Sequence, residues 1–389
     1  MLLNIISMFS YVNKLYIGDT VMKNNKIIIF FKKECVLIIA TLLALITSLI
    51  SMPKLEYIDF KVLILLFNLM VIVAALNKFK VLDKIAITLL EKCTTSRKVN
   101  LVLVFITFFS AMFVTNDVAL ITFVPLTIIT SKKANINALK TIVFQTLGAN
   151  LGSALTPMGN LQNLFIYSFY NMNIISFLKS TFPLILIGLV FLSILIFKEK
   201  DFKLNFDVEK IEIKDKNKIF LVVALFFLVI LSVFKIIDYK ITFILTIIFV
   251  VFLDKSLFKK VDYSLLLTFV AFFIFIGNIS SMEEVKIFME NLFNSSKSTY
   301  FYSILSSQII SNVPATMLIS NFTNYSKELL LGVNIGGMGT LIASLASLIS
   351  YKLYVKEVKD ENNNYIKVFT LYNLLGLIVI IPIIYFLCI

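Results

Sequence analysis

The chain of 389 residues contains no histidine. That absence removes His-liganded zinc sites, Ser-His-Asp triads and imidazole proton relays at once. Cysteine is scarce too. Cys35, Cys93 and Cys388 are scattered and odd in number, so they offer neither a disulfide framework nor a metal-ligand spacing. Charge is the third shortage, at 15% of residues against roughly 25% in a soluble domain. A membrane-embedded enzyme needs paired acids, a metal cluster or a nucleophile–base pair within the bilayer. This sequence has no Gly-x-Gly-Asp or His-Glu-x-x-His motif and one clear central acid, Asp117, so no enzymatic activity and no cofactor are expected.

Apolar sequence fills the space. Hydrophobic residues make up 59% of the chain. Runs of about 20 such residues recur along its whole length, which implies a polytopic membrane protein rather than one anchor on a soluble body. Segments able to cross are 34–52, 58–77, 141–172, 181–197, 219–236, 241–254, 264–280, 327–351 and 368–388, about nine crossings. The net charge of +13 suggests nucleic acid at first sight. In a polytopic chain excess lysine instead marks cytoplasmic loops, so the lipid bilayer and not nucleic acid is the expected partner.

Two segments read as copies of each other, Gly148 to Tyr170 and Gly332 to Tyr354. Without a gap, Gly148/Gly332, Asn150/Asn334, Gly152/Gly336, Thr156/Thr340, Leu161/Leu345, Leu164/Leu348, Tyr167/Tyr351 and Tyr170/Tyr354 are identical. Each copy holds a helix breaker inside apolar sequence. Thr156-Pro157-Met158-Gly159-Asn160 uses Pro157 and Gly159 to stop one helix before another starts at about Leu161. Gly336-Gly337-Met338-Gly339-Thr340 relies on glycines alone, with Thr340, Ser344 and Ser347 as its polar groups. Interrupted apolar segments at matching places in two halves point to a transporter site at mid-membrane.

Upstream of each copy lies a second matched pair, Thr115-Asn116-Asp117-Val118-Ala119 and Ser311-Asn312-Val313-Pro314-Ala315. From Arg97-Lys98 to the first of these tips run about 16 residues, and from the tip to Lys132-Lys133 about 14. Each limb is short for a ~30 Å core. Basic residues at both ends suit a re-entrant hairpin entering and leaving on one side. Such a tip is tolerated only where protein or a water-filled cavity surrounds it.

With residues 1–33 inside, 28 of the 36 basic residues fall on inner segments, which supports a cytoplasmic N-terminus in the cell membrane. Met22, followed by Lys23 and Lys26, makes a more natural start, so residues 1–21 are expected to be dispensable. The expected organisation is a cytoplasmic extension 1–33, a first repeat 34–197, a charged linker 198–218, a connecting helix 219–240, and a second, inverted repeat 241–389. Each repeat runs helix, helix, amphipathic segment, hairpin, broken helix, helix. Ile58-Asp59-Phe60 and Val261-Asp262-Tyr263 mark matching helix starts. The fold expected is therefore all-α and polytopic, with inverted repeats, two re-entrant hairpins and two broken helices.

Small polar side chains gather at these four places. Asn116 and Asn312 bring amide donors and acceptors, Thr115 and Ser311 hydroxyls. The candidate substrate and ion site is Thr115, Asn116, Asp117, Asn150, Thr156, Pro157, Gly159, Asn160, Asn163, Ser311, Asn312, Asn334, Gly339, Thr340 and Ser344, with Na+ expected near Asn116, Asp117 and Asn312. Helix N-terminal ends there favour anions, and carbonyl-rich ends favour Na+. The competing reading is that Gly and Ser mark close helix packing. Asp117 is the sharpest residue, because a carboxylate near the bilayer centre costs ~2.5–3.5 kcal/mol on insertion scales and usually faces a cavity or a partner. It either binds a cation or carries a proton, or it caps the helix that follows.

The tips, Gly148 to Asn163, Gly332 to Ser347 and the hydropathy order resemble the ion transporter superfamily of arsenite permeases, NhaD-type sodium/proton antiporters and citrate or dicarboxylate carriers. Within it the chain is similar to uncharacterised anion permeases near the arsenical-pump membrane subunit. The resemblance covers roughly residues 34–389. It implies a scaffold and a transport domain moving as an elevator, with substrate and cation held by two tips and two breaks; elevator relatives are often homodimers. In the dicarboxylate carriers both tips read Ser-Asn-Thr, and this chain departs at Asp117 and Val313-Pro314. The expected function is transport of a small anion coupled to Na+ or H+, with a Na+/H+ antiporter as the alternative.

Overall fold

The computed structural model describes residues 34–134, 136–204, 211, 215–358 and 362–389. The N-terminal extension 1–33 and the middle of the charged linker, 205–210 and 212–214, lie outside the described residues. What is described is helical, with a lone bridge between Thr95 and Lys203 and no strand among the described residues. This is an all-α polytopic membrane protein.

Among the described residues seventeen α-helices follow one another. The first half comprises α1 (Cys35–Ser48), α2 (Phe60–Lys78), α3 (Val81–Leu90), α4 (Ser96–Val114), α5 (Asn116–Ala134), α6 (Leu139–Ser153), α7 (Leu161–Phe169) and α8 (Ile174–Phe197). After α9 (Lys216–Val233) come α10 (Tyr239–Leu253), α11 (Tyr263–Ser280), α12 (Glu283–Leu292), α13 (Ser296–Ile310), α14 (Asn312–Ser320), α15 (Ser326–Gly336), α16 (Leu345–Glu357) and α17 (Asn362–Cys388). Helices α2, α4, α8, α9, α11 and α17 are long and apolar enough to cross a membrane; α1 and α10 are apolar but shorter.

Local chemistry sets the boundaries. Asp59 and Asp262 cap α2 and α11, each accepting the N–H three residues on, from Val62 and Leu265, at 3.0 Å. The broken helices part where the sequence stops supporting a helix: α6 ends at Ser153 and α7 begins at Leu161, and α15 ends at Gly336 and α16 begins at Leu345.

The first hairpin departs from expectation in length. Its limbs α4 and α5 are 19 residues each, near 28 Å at about 1.5 Å per residue. Arg97, Lys98, Lys132 and Lys133 lie inside the helices rather than beyond them, because long basic side chains reach water from a helix end. The limbs still run antiparallel, since Val99 and Leu103 of α4 pack with Leu126 and Ile136 near the far end of α5. The second hairpin, α13 and α14, is shorter, at 15 and nine residues.

Packing repeats across the halves. The first limb of each hairpin carries its own broken helix, α4 with α6 and α13 with α15. The second limbs cross over: α5 packs on α16, and α14 on α7. A separate group forms where α1 packs on α11 and α2 on α9 and α10. Gly152 shows how close the first contact is. A Cβ there would sit 2.1 Å from the Phe108 carbonyl oxygen, and one on its counterpart Gly336 would sit 2.7 Å from the Ser307 Cβ. The packing role of these glycines is therefore real, and it coexists with the breaks downstream.

Candidate substrate and ion site

Each hairpin turns on one residue, and both turns have the same strained geometry. Thr115 has φ 74° and ψ 150°, Ser311 φ 73° and ψ 153°. Positive φ is costly for any side chain and most of all for a β-branched one, of order 1–3 kcal/mol. Tertiary contacts hold it. Asn116 N–H donates to the Gly159 carbonyl at 3.1 Å, and Asn312 N–H donates to the Ala343 carbonyl at 2.9 Å, so each tip is pinned to the break of its own half. The threonines matched in sequence act alike: Thr156 Oγ1 donates to the Met112 carbonyl, and Thr340 Oγ1 to the Gln308 carbonyl at 3.2 Å.

The halves are then cross-linked by amides. Asn150 of α6 accepts from Asn116 Nδ2 and from Ser344 Oγ, both at 3.1 Å, and donates to the Gly337 carbonyl at 3.2 Å and Ser347 Oγ at 3.4 Å. Its counterpart Asn334 of α15 reaches the other way. It accepts from Asn160 Nδ2 at 2.9 Å and donates to Asn163 Oδ1 and the Leu330 carbonyl, both at 2.7 Å. Asn163 Nδ2 also donates to the carbonyls of Ser153, Ala154 and Thr156, satisfying the end of α6. The amides of Asn150, Asn163 and Asn334 are thus committed to one another and to the breaks, and they fix the site's frame.

A cavity of about 690 Å³ reaches this frame, bounded by Thr115, Asp117, Met158 and Asn160 at the site and by Asn77, Lys78, Lys260 and Asp262 toward the lysine-rich face. The Asp117 carboxylate is half-buried and takes part in no hydrogen bond or ion pair among the described residues. The helix start is capped instead by Asn116 Oδ1, which accepts the Asp117 N–H at 3.0 Å. A second, smaller cavity of about 170 Å³ touches the other tip at Ser311, Val313 and Pro314 and extends to Lys352. Leu161, Leu265 and Ile349 line both cavities. Gly339 and Thr340 lie instead against Gln308, while Pro157 and Gly159 are buried in the first turn.

Electrostatically the site is mixed. The N-termini of α5, α7, α14 and α16 converge on it, as do the C-termini of α4, α6, α13 and α15. Partial charges of both signs, ~0.5 each, therefore face one small volume. Such a frame suits an anion held beside a cation. At the cavity mouth Lys78 is neutralised by Asp254, with Ser256 accepting a further bond at 2.8 Å. That pairing draws the Asp254 carboxyl down to about 2.

Two residues central to this geometry carried no signal in the sequence. Gln308 props the second break, donating to the carbonyls of Gly336 at 2.6 Å and Met338 at 2.9 Å and accepting the Thr340 N–H at 2.9 Å. A Cβ on Gly339, at φ 107°, would meet its Oε1 at 2.2 Å. Asn77 on α2 accepts from Thr122 on α5 at 3.2 Å and lines the large cavity.

A family model described as citrate transporter matches residues 27–324. The chain belongs to the citrate transporter family. It is accordingly a multi-pass membrane transporter, within the superfamily its tips and breaks resemble. It is similar to the uncharacterized transporter MJ0456 of Methanocaldococcus jannaschii, at 37% identity over 81% of this chain and 87% of that protein. The inner membrane protein YbiR of Escherichia coli is 28% identical over 76% of this chain and 80% of its own length. A 46 kDa membrane protein of Mycobacterium leprae aligns over 36% of the chain at 27% identity.

Proposed function

We propose that the chain is a secondary active transporter that carries a small anion, or a weakly charged oxyacid such as arsenite, across the cytoplasmic membrane together with Na+ or H+. The carrying observation is the Asp117 carboxylate, which lines a large cavity beside converging helix ends and has no hydrogen-bond or ion-pair partner among the described residues. A cation or proton at Asp117 would leave the helix N-termini to hold the anion. Movement would be of the elevator type, with α4–α8 and α13–α17 carrying the site past a scaffold of α1, α2 and α9–α11. The lysine-rich face would be cytoplasmic, which makes the described state inward-facing.

The family's descriptive name invites citrate, but the tip argues for a less charged cargo. Two carboxylates about 5 Å apart repel by ~3 kcal/mol at an effective dielectric constant of 20, and citrate would bring three. The tips Thr115-Asn116-Asp117 and Ser311-Asn312-Val313 contain no lysine or arginine themselves, and of the lysines lining the two cavities, Lys78, Lys260 and Lys352, the first is already paired with Asp254. A Na+/H+ antiporter is the second reading, favoured by Asp117 and Asp262 lining one cavity.

Thermal stabilisation of the purified protein tests the reading, with arsenite, sulfate, phosphate, acetate, succinate and citrate, each with and without Na+. A ligand at 100 times its Kd should stabilise by ~2.7 kcal/mol. Stabilisation by one anion only in Na+, lost in Asp117→Asn, is the expected result for a Na+-coupled symporter. A Na+ response with no anion response moves the assignment to the antiporter. Activity in a catalytic assay that disappears with Asp117→Asn would overturn both.

A further inference from the structure

The two halves match at their caps and differ just beyond them. Asp59 Oδ2 accepts from Ser168 Oγ of α7 at 3.4 Å, and α7 packs on α2. That seam is closed. Among the described residues no comparable packing joins α16 to α11, the matching pair, and Asp262 stands exposed at the cavity mouth. The gap-free register that pairs Gly148 with Gly332 pairs Ser168 with Lys352. Lys352 is exposed on α16 and shares the small cavity with Leu265, which lies one turn beyond Asp262 and lines the large cavity as well.

The hairpins show the complementary asymmetry. The second limb α14 packs on α11, whereas the large cavity separates the first tip from Leu66, Met70 and Val73 of α2. Of four equivalent seams, two are packed closed and two are parted by a cavity, the α5–α2 seam being bridged there by the Thr122–Asn77 bond, and the repeat symmetry exchanges the packed pair with the parted pair. In a transporter built from inverted repeats, exchanging the conformations of the halves generates the opposite state.

We infer that in that opposite state Lys352 meets Asp262, and that this ion pair shuts the cavity on the lysine-rich face. It is the counterpart of the Asp59–Ser168 contact, with a charge pair in place of a hydrogen bond. Lys78 does not compete for Asp262, because Asp254 and Ser256 already hold it. Lys260 lines the same mouth and is the natural control. The inference rests on the transport reading above.

The experiment uses full-length protein in liposomes with Cys35, Cys93 and Cys388 replaced by Ser and Met70→Cys as the cavity reporter, read with a membrane-impermeant thiol reagent. Cross-linking Asp59→Cys to Ser168→Cys should hold the reporter open to the lysine-rich face. Cross-linking Asp262→Cys to Lys352→Cys should form and should close it. Because Asp262→Cys also removes a helix cap, Lys352→Gln provides a second measurement on an exposed position. Compared with the same change made in Asp262→Asn, whose side chain still caps the helix, so that any contact of Lys352 in the open state cancels, it should shift the open-to-closed ratio toward open by up to about fivefold, the reach of a partly exposed ion pair, while Lys260→Gln leaves the ratio unchanged.

A reporter that alternates while the 262–352 pair never cross-links, or while Lys352→Gln changes nothing, overturns the gate and leaves transport standing. A reporter whose exposure never changes under any lock or ligand overturns the transport reading and the gate with it.

Discussion

Replacing Asn334 by Ala removes three buried hydrogen bonds at once, to Asn160, Asn163 and the Leu330 carbonyl. The bonds to Asn160 and Asn163 are interhelical, and such contacts in a membrane average about 0.6 kcal/mol each, which puts their loss near 1 kcal/mol. Asn163 Oδ1 loses its partner and stays buried, and an unsatisfied acceptor adds about 1 kcal/mol or more. Asn160 Nδ2 keeps Ser153 Oγ at 3.1 Å, so no second orphan is created. The expected cost is about 2 kcal/mol, measured as the free energy of denaturant unfolding in detergent. Asn150→Ala, which breaks four contacts, three of them across the same boundary, should cost about as much. An Asn334→Ala protein as stable as wild type would refute the idea that the crossed amides hold the halves together.

Gly152→Ala should destabilise by more than ~3 kcal/mol, because its Cβ would overlap the Phe108 carbonyl of α4; Gly148→Ala, where the nearest atom is 3.4 Å away, should cost under ~1 kcal/mol, both read by thermal unfolding. Asp117→Asn should abolish cation-dependent uptake in proteoliposomes while leaving unfolding within ~0.5 kcal/mol of wild type, since no fold contact engages that carboxylate among the described residues. Gln308→Ala should cost ~2–3 kcal/mol and raise thiol labelling of Thr340→Cys as the second break loosens. Asp254 has a lowered folded-state pKa, so its contribution is full above about pH 4 and is lost as pH falls through about 2. The Lys78–Asp254 pair is partly exposed, so that contribution is at most ~1 kcal/mol, and Asp254→Asn should lose it at pH 7 but not at pH 2 in parallel thermal scans.

Much of this protein could be read from local chemistry. Apolar runs specify helices of membrane length, because an unsatisfied backbone group in lipid costs several kcal/mol. Pro157, Gly159 and Gly337 to Gly339 mark the breaks to within a few residues, because a missing N–H or Cβ acts where it stands. Thr115 and Ser311 could be singled out as tips because polar residues interrupt apolar sequence there. The limb lengths of the first hairpin were harder to see, since terminal lysines and an arginine look like helix ends and are in fact helix residues.

Tertiary structure alone decided what the polar residues do. Asn150, Asn163 and Asn334 look as fit for a ligand as Asp117 does, and only the fold commits their amides, Asn334 to Asn163 and Asn150 to Ser344 and Ser347, across 171 to 197 residues of sequence. Gln308 is one polar residue in a helix until the second break is brought against it. Asp262 is a cap like Asp59 until one seam closes and the other opens. The sequence by itself determined the helices, the breaks and the symmetry, because each depends on neighbours along the chain. The tertiary structure decided which polar groups are consumed and which face the cavity, because hydrogen bonds between distant segments depend on where the helices meet.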